Sequence, residues 1–206
     1  VLVQNGTLRQ GDIVLAGAHV QNLPEYERVA LGLARTFQTA SIFPEFTVRQ
    51  QVTLGSNVTL KSHPLSSVFG VGTHKGEAET VVARVDEILE IAGLLAVADA
   101  KVNTMSSAQQ RFLMIATALA AEPRIILLDE PAAGLVSHER ETLGALIKTI
   151  RDRSTAVLVI EHHMALIMEV CDRIVVLNFG SKICEGTPSE IRNNQAVIDA
   201  YLGEAA

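Results

Sequence analysis

Apolar positions come in short unbroken runs and in helix-spaced stripes, and the two patterns take turns along the second half of the chain. Arg124 to Leu128 and Ala156 to Ile160 are wholly aliphatic after their first residue, and Ile174 to Leu177 repeats the pattern. Runs this short predict strands buried on both faces. Between them, Leu143, Leu146, Ile147 and Ile150 recur at helical spacing, as do residues from about Ala108 to Ala120 and from Met164 to Val170. Short apolar strands alternating with helices imply a parallel sheet covered by helices, an α/β fold in which ligands bind at the carboxyl ends of the strands.

The first half is less regular. Gly11 to Gly17 reads as a short strand bounded by turns. Pro24 to Leu33 predicts a short helix leading into Ala34-Arg35-Thr36-Phe37-Gln38. From Phe43 the texture changes. A polar, glycine-bearing stretch, Lys61 to Gly76, separates two helical segments, and Val81, Val85, Ile88, Leu89 and Ala92 share one face of the second. Residues 43–120 are therefore expected to form a helical subdomain set into the α/β core.

Composition narrows the class. Hydrophobic residues make up 48% and aromatic residues only 4% of the 206 positions, which predicts an aliphatic-cored globular domain. Net charge is −6 and the 17 basic residues are scattered, which argues against a nucleic-acid partner. Cys171 and Cys184 fit no metal spacing and read as buried thiols in a reducing compartment. Every apolar run is broken by charge well short of the roughly 18 residues that suggest a membrane span, and the start at Val1 has no signal-peptide pattern. A start without Met marks the chain as processed or as a piece of something longer.

Two polar dipeptides stand just past predicted strands, Asp129-Glu130 and Glu161-His162. Adjacent carboxylates there suit a magnesium-nucleotide site: one supports the metal's water shell and the other polarises a water for attack on a terminal phosphate. A histidine at the neighbouring strand tip can stabilise charge developing on that phosphate. For an isolated Asp-Glu pair a solvated turn would be the better reading. Here four aliphatic residues precede the pair, Pro131 follows it and a second polar tip accompanies it.

From Leu8 to Gly203 the chain resembles the ATP-binding subunits of ABC transporters, most nearly the branched-chain amino acid importer type. Leu128 to Leu135 resembles the Walker B strand and D-loop, Gly32 to Gln38 with Phe43 to Val48 the Q-loop, and Ile160-Glu161-His162 the switch-histidine strand. Cys171 to Leu177 and Glu185 to Pro188 resemble the C-terminal end. The resemblance implies a P-loop NTPase-like (RecA-like) core, ATP as substrate and Mg2+ as its metal. It assigns Gln38 and Asp129 to the metal, Glu130 as base and His162 to the γ-phosphate. Ser106, Ala108 and Gln109 fall in the signature loop that meets the nucleotide of a second ATP-binding subunit, identical or related. It further implies transmembrane permease subunits that dock the helical subdomain, an extracytoplasmic solute-binding protein acting indirectly, and a cytoplasmic position on the inner face of the membrane.

Departures from the family pattern carry their own expectations. No Gly-x-x-x-x-Gly-Lys-Ser/Thr phosphate loop occurs, and Gly70-Val71-Gly72 lacks the lysine spacing. By the resemblance that loop, and the aromatic residue on which adenine stacks, would lie just upstream of Val1. The residues given thus predict weak ATP binding. Met105-Ser106-Ser107-Ala108-Gln109 stands where the signature usually reads Leu-Ser-x-Gly-Gln, and a left-handed backbone at Ala108 would cost about 1–2 kcal/mol. Val136 replaces a D-loop Asp or Asn, Thr117 an arginine, and His163 an Asp. His163 reads as a solvated helix-start residue, and His19, His63, His74 and His138 as surface positions. Two functions stand: an ATPase subunit powering import, and a degenerate, non-hydrolysing partner with permease contacts and a weak nucleotide site. A soluble ABC protein of repair or translation would need a second cassette or a long coiled-coil insertion.

Overall fold

The computed structural model describes residues 14–15, 18–19, 23–36, 42–56 and 75–201. Gln38, His63, His74 and Gly70-Val71-Gly72 lie outside them. A small antiparallel pair, β1 (Val14–Leu15) and β2 (Ala18–His19), opens the described chain where one longer strand was expected.

Helix α1 (Glu25–Ala30) stops short of the predicted Leu33. Gly32 takes a left-handed φ of +91°, which ends the helix, and Leu33–Thr36 forms strand β3 instead. A side chain at Gly32 would meet Arg124 Cγ at 2.9 Å, because the Gly32 carbonyl accepts hydrogen bonds from the Arg124 and Ile125 amides at 2.8 and 3.0 Å. The strand was hidden in the sequence by its polar members, Arg35 and Thr36.

Helices α2 (Val48–Ser56), α3 (Lys75–Ile91) and α4 (Ser107–Leu119) follow, with short 3-10 turns at Leu95–Val97 and Val102–Thr104. Val48, Val52, Val85, Ile88, Leu89, Phe112, Leu113 and Ile115 are buried, so the helix-spaced stripes read from the sequence do face the core. Helices α2 and α4 approach closely at Gly55, where an added Cβ would lie 2.0 Å from the Thr117 carbonyl oxygen. Glu87 of α3 pairs with Arg153 at 2.6 Å, tying the helical region to the α/β part.

Strand β4 (Ile125–Asp129) lies between β3 and β5 (Ala156–Ile160) in a parallel sheet, with Thr36 beside Leu128 and Asp129 beside Ile160. Helix α5 (Ser137–Asp152) buries Leu143, Leu146, Ile147 and Ile150, the stripe expected of it. Helix α6 (Met164–Val170) packs on α5.

The third predicted strand departs from expectation. Strand β6 (Ile174–Asn178) pairs antiparallel with β7 (Ser181–Gly186), and among the described residues this hairpin is separate from the parallel sheet. Its two-residue turn has Phe179 at φ +45° and Gly180 at +79°, the mirror-image geometry that suits hairpin twist. Helices α7 (Pro188–Arg192) and α8 (Gln195–Tyr201) complete a second small core with Ile167, Ile174, Val176, Ile191 and Val197. Cys171 and Cys184 are free and half-buried, and burial raises both thiols above their ordinary pKa. Among the described residues no helix is long and apolar enough to cross a membrane.

Candidate functional site

The parallel register brings the ends of β4 and β5 to the same edge, so both polar dipeptides leave the sheet side by side. Directly after β4 the chain turns sharply. Glu130 adopts a left-handed φ of +46°, uncommon for a residue with a side chain, and its amide donates to the Ile160 carbonyl at 2.9 Å. The turn continues through Pro131, Ala132 and Ala133 to Gly134 at φ +77°. Arg111 of α4 donates to the Ala133 carbonyl at 3.1 Å and approaches that of Glu130 at 3.5 Å, covering acceptors that the turn leaves open.

This turn directs the Glu130 carboxylate toward His162. Glu130 Oε1 lies 3.9 Å from His162 Nδ1, and both side chains are open to solvent. A water or a phosphate oxygen could be shared between them. Asp129 sits lower and is less exposed. Its carboxylate accepts from the Arg35 guanidinium of β3 at 3.0 Å. A cation thus already balances the carboxylate assigned to metal support; magnesium prefers oxygen ligands, so a metal held there would compete with the guanidinium. Gln38, also assigned to the metal, lies outside the described residues.

The residue that sequence reasoning left without a role is Glu161. Its side chain is wholly buried at the end of β5. Oε1 accepts from the Ala132 amide at 2.7 Å, on the turn after β4. Oε2 accepts from the His162 amide at 3.1 Å and the His163 amide at 3.4 Å, and lies 3.1 Å from His163 Nδ1. Burial pushes the carboxyl's pKa up, but the bonds from Ala132, His163 and His162 outweigh it and leave the value below the ordinary glutamate level. The sequence signal was a lone acid continuing an aliphatic strand, a position where a charge persists only if it is fully hydrogen-bonded.

His163 is a helix-start residue as expected, but it is not a solvated one. It is half-buried, precedes α6 at the N-cap position and turns its ring onto Glu161, tilted 36° against the His162 ring at a centroid separation of 4.5 Å. Nitrogen and carboxylate atoms of Glu161, His162 and His163 lie within 4.8 Å of one another. Because Glu161 Oε2 already accepts two amides, the cluster reads as a hydrogen-bonded brace.

Ser106 caps α4: its hydroxyl accepts from the Gln109 amide at 3.2 Å while Gln109 Oε1 accepts from the Ser106 amide at 3.0 Å. This reciprocal capping box orders the helix N-terminus. Their hydrogen bonds run to each other and not to the strand tips. Ala108 falls one turn position inside the helix, packed in the core at 9% exposure, and is absent from the positive-φ residues. The strain anticipated for alanine does not arise, because helical geometry suits it. Val136 is exposed at the N-cap of α5, where only the Glu139 carboxylate, accepting from the Val136 amide at 2.9 Å, satisfies the helix start.

Comparison with known proteins gives the family of the chain. A family model described as ABC transporter matches residues 1–133, and one described as branched-chain amino acid ATP-binding cassette transporter matches residues 181–206. The chain is 38% identical over 196 residues to the high-affinity branched-chain amino acid transport ATP-binding protein LivG of Escherichia coli (strain K12), covering 95% of the chain and 77% of LivG. BraF of Pseudomonas aeruginosa, a protein of the same description, matches at the same identity and coverage. The lipopolysaccharide export system ATP-binding protein LptB of Haemophilus influenzae is 30% identical, covering 95% of the chain and 75% of LptB. Among solved structures, the ADP conformation of MJ1267, an ATP-binding cassette of an ABC transporter, superposes with a TM-score of 0.73 at 25% identity, covering 90% of the chain and 74% of MJ1267. The parallel sheet is that of a P-loop NTPase core, and the chain belongs to the ATP-binding subunits of ABC transporters.

Proposed function

We propose that this subunit hydrolyses ATP to energise an importer of branched-chain amino acids or similar solutes. The observation that carries the reading is the pairing of Glu130 Oε1 with His162 Nδ1, 3.9 Å apart at adjacent strand tips. Glu130 takes a proton from the attacking water, and His162 hydrogen-bonds the γ-phosphate and stabilises the charge that grows there. Asp129 is the residue that would support Mg2+, and the family resemblance gives Gln38 the same task. The bound metal supplies Lewis-acid neutralisation of the phosphate oxygens. Ser106, Ala108 and Gln109 present the amide-rich N-terminus of α4 to the nucleotide of a second ATP-binding subunit.

Residues 43–120 are read as the helical subdomain that docks the transmembrane permease, which holds the subunit on the inner face of the membrane. A solute-binding protein on the far side acts through that permease. ATP favours the closed pair of subunits, and hydrolysis resets it.

The test is steady-state ATP turnover of the full-length subunit assembled with its permease, compared with Glu130→Gln. Loss of a general base predicts a fall of about 10²–10⁴ in kcat, with nucleotide binding kept. Equal turnover in the two proteins would remove Glu130 as base. The alternative, a partner subunit that binds but does not hydrolyse, is favoured by the Arg35 guanidinium on Asp129. It predicts equal, slow turnover in both.

A further inference from the structure

Two turns carry the candidate chemistry, and a single side chain joins them. The turn after β4 holds Glu130, and the turn after β5 holds His162. Strand pairing ends at the Asp129–Ile160 register, and the Glu130 amide makes the last ladder-like bond, to the Ile160 carbonyl at 2.9 Å. Beyond that point backbone pairing no longer sets how far apart the two turns sit. Glu161 takes over. One carboxylate oxygen accepts from Ala132, two residues after Glu130, and the other accepts from the amides of His162 and His163 and contacts the His163 ring.

We propose that Glu161 is a positioning residue whose buried carboxylate, with one oxygen on each turn, sets the spacing of Glu130 and His162. The inference rests on the roles assigned to Glu130 and His162 above, and it concerns a side chain closed to solvent.

The chemistry requires a carboxylate. The Ala132, His162 and His163 amides are N–H donors, so the oxygen that each of them meets must accept. A glutamine of the same size keeps one acceptor and turns an NH₂ group toward amide donors on the other turn. One turn is then released or pushed away. An aspartate keeps two acceptors but is one methylene shorter, so it cannot span both turns at 2.7 and 3.1 Å together. Ala132, which Glu161 holds, is itself fully buried, so the turn cannot slide without disturbing the core. His163 adds a third donor from the same side as His162, which stiffens the loop bearing the exposed His162 ring.

The experiment uses the full-length subunit assembled with its permease and measures kcat and KM for ATP in wild type, Glu130→Gln, Glu161→Gln and Glu161→Asp. Misplacement of a reacting group by about 1 Å costs on the order of 10²-fold in rate. Glu161→Gln is therefore expected to lower kcat by about 10²-fold while KM for ATP stays within about threefold, since binding contacts elsewhere are untouched. A kcat within threefold of wild type, in a background where Glu130→Gln abolishes turnover, overturns the positioning role alone. If Glu130→Gln itself leaves turnover unchanged, the hydrolytic reading fails instead. Should Glu161→Gln not fold, Glu161→Asp carries the test, because it keeps two acceptors and the charge but is too short to hold both turns at once. It is expected to lower kcat about three- to tenfold at constant KM, and an unchanged kcat overturns the proposal.

Discussion

Arg35 and Asp129 form an ion pair of 3.0 Å across 94 residues of sequence, from the middle of β3 to the last residue of β4. The carboxylate is mostly sheltered, and the guanidinium is half-exposed. A resident positive charge thus competes with any cation that Asp129 holds. Arg35→Met should lower the Mg2+ concentration needed for half-maximal nucleotide binding. Partly exposed pairs are worth up to about 1 kcal/mol, which corresponds to a shift of about fivefold at most. A titration of nucleotide binding against Mg2+ measures it, and an unchanged midpoint would show that the pair does not compete with the metal.

Ala108 lies in helical geometry in the core, so restoring the family's glycine should not relieve strain. Ala108→Gly is expected to leave ATP turnover within about twofold and to destabilise the chain by roughly 0.5–1 kcal/mol, the difference between the two residues in a helix. Turnover and thermal melting measured together test both halves. A rise of tenfold or more in turnover would mean that the methyl group obstructs the phosphate.

Gly55 is the contact point between α2 and α4, and its missing side chain leaves room for the Thr117 carbonyl. Gly55→Ala forces the helices apart and should cost about 1–3 kcal/mol, as overpacking does. Urea denaturation of the purified subunit reads this as a lower midpoint at unchanged slope. A midpoint equal to wild type would show that the helices separate freely.

Acid stability should depend on Glu161. Its pKa in the folded chain is lower than in the unfolded chain, because its hydrogen bonds favour the charged form more strongly than burial opposes it. The unfolded state therefore binds more protons, and the stabilisation is complete above the ordinary glutamate range and lost as pH falls through the lower, folded value. Glu190, lowered by its bonds to Thr187, contributes in the same direction. Urea midpoints from neutral pH into the acid range should fall for wild type and fall less steeply for Glu161→Gln. Parallel curves would show that the Glu161 carboxylate is not responsible.

Much of this arrangement could be read along the chain. The aliphatic runs before Asp129 and before Glu161 identified β4 and β5, because a strand buried on both faces must be apolar at every position. The helix-spaced stripe from Val85 to Ala92 identified α3, and the chemistry of Asp129, Glu130 and His162 followed from polar residues placed where such strands end. The family resemblance singled out the Ser106–Gln109 segment, although not that its two side chains cap a helix and leave Ala108 unstrained.

Burial is written in the spacing of apolar residues, so the chain alone states which segments are buried and which residue types stand at their ends. Who meets whom follows from the way those segments pair and pack. Strand β3 was missed because Arg35 and Thr36 break its apolar run, and their partners lie on β4. Strand β6 was misassigned to the parallel sheet because an apolar run does not state the direction of its neighbour, and the Phe179-Gly180 turn folds β7 back onto it. Glu161 was legible as a charge at a strand end. Its bond to Ala132, 29 residues away, depends on β4 and β5 pairing in one register, and no local signal encodes that meeting.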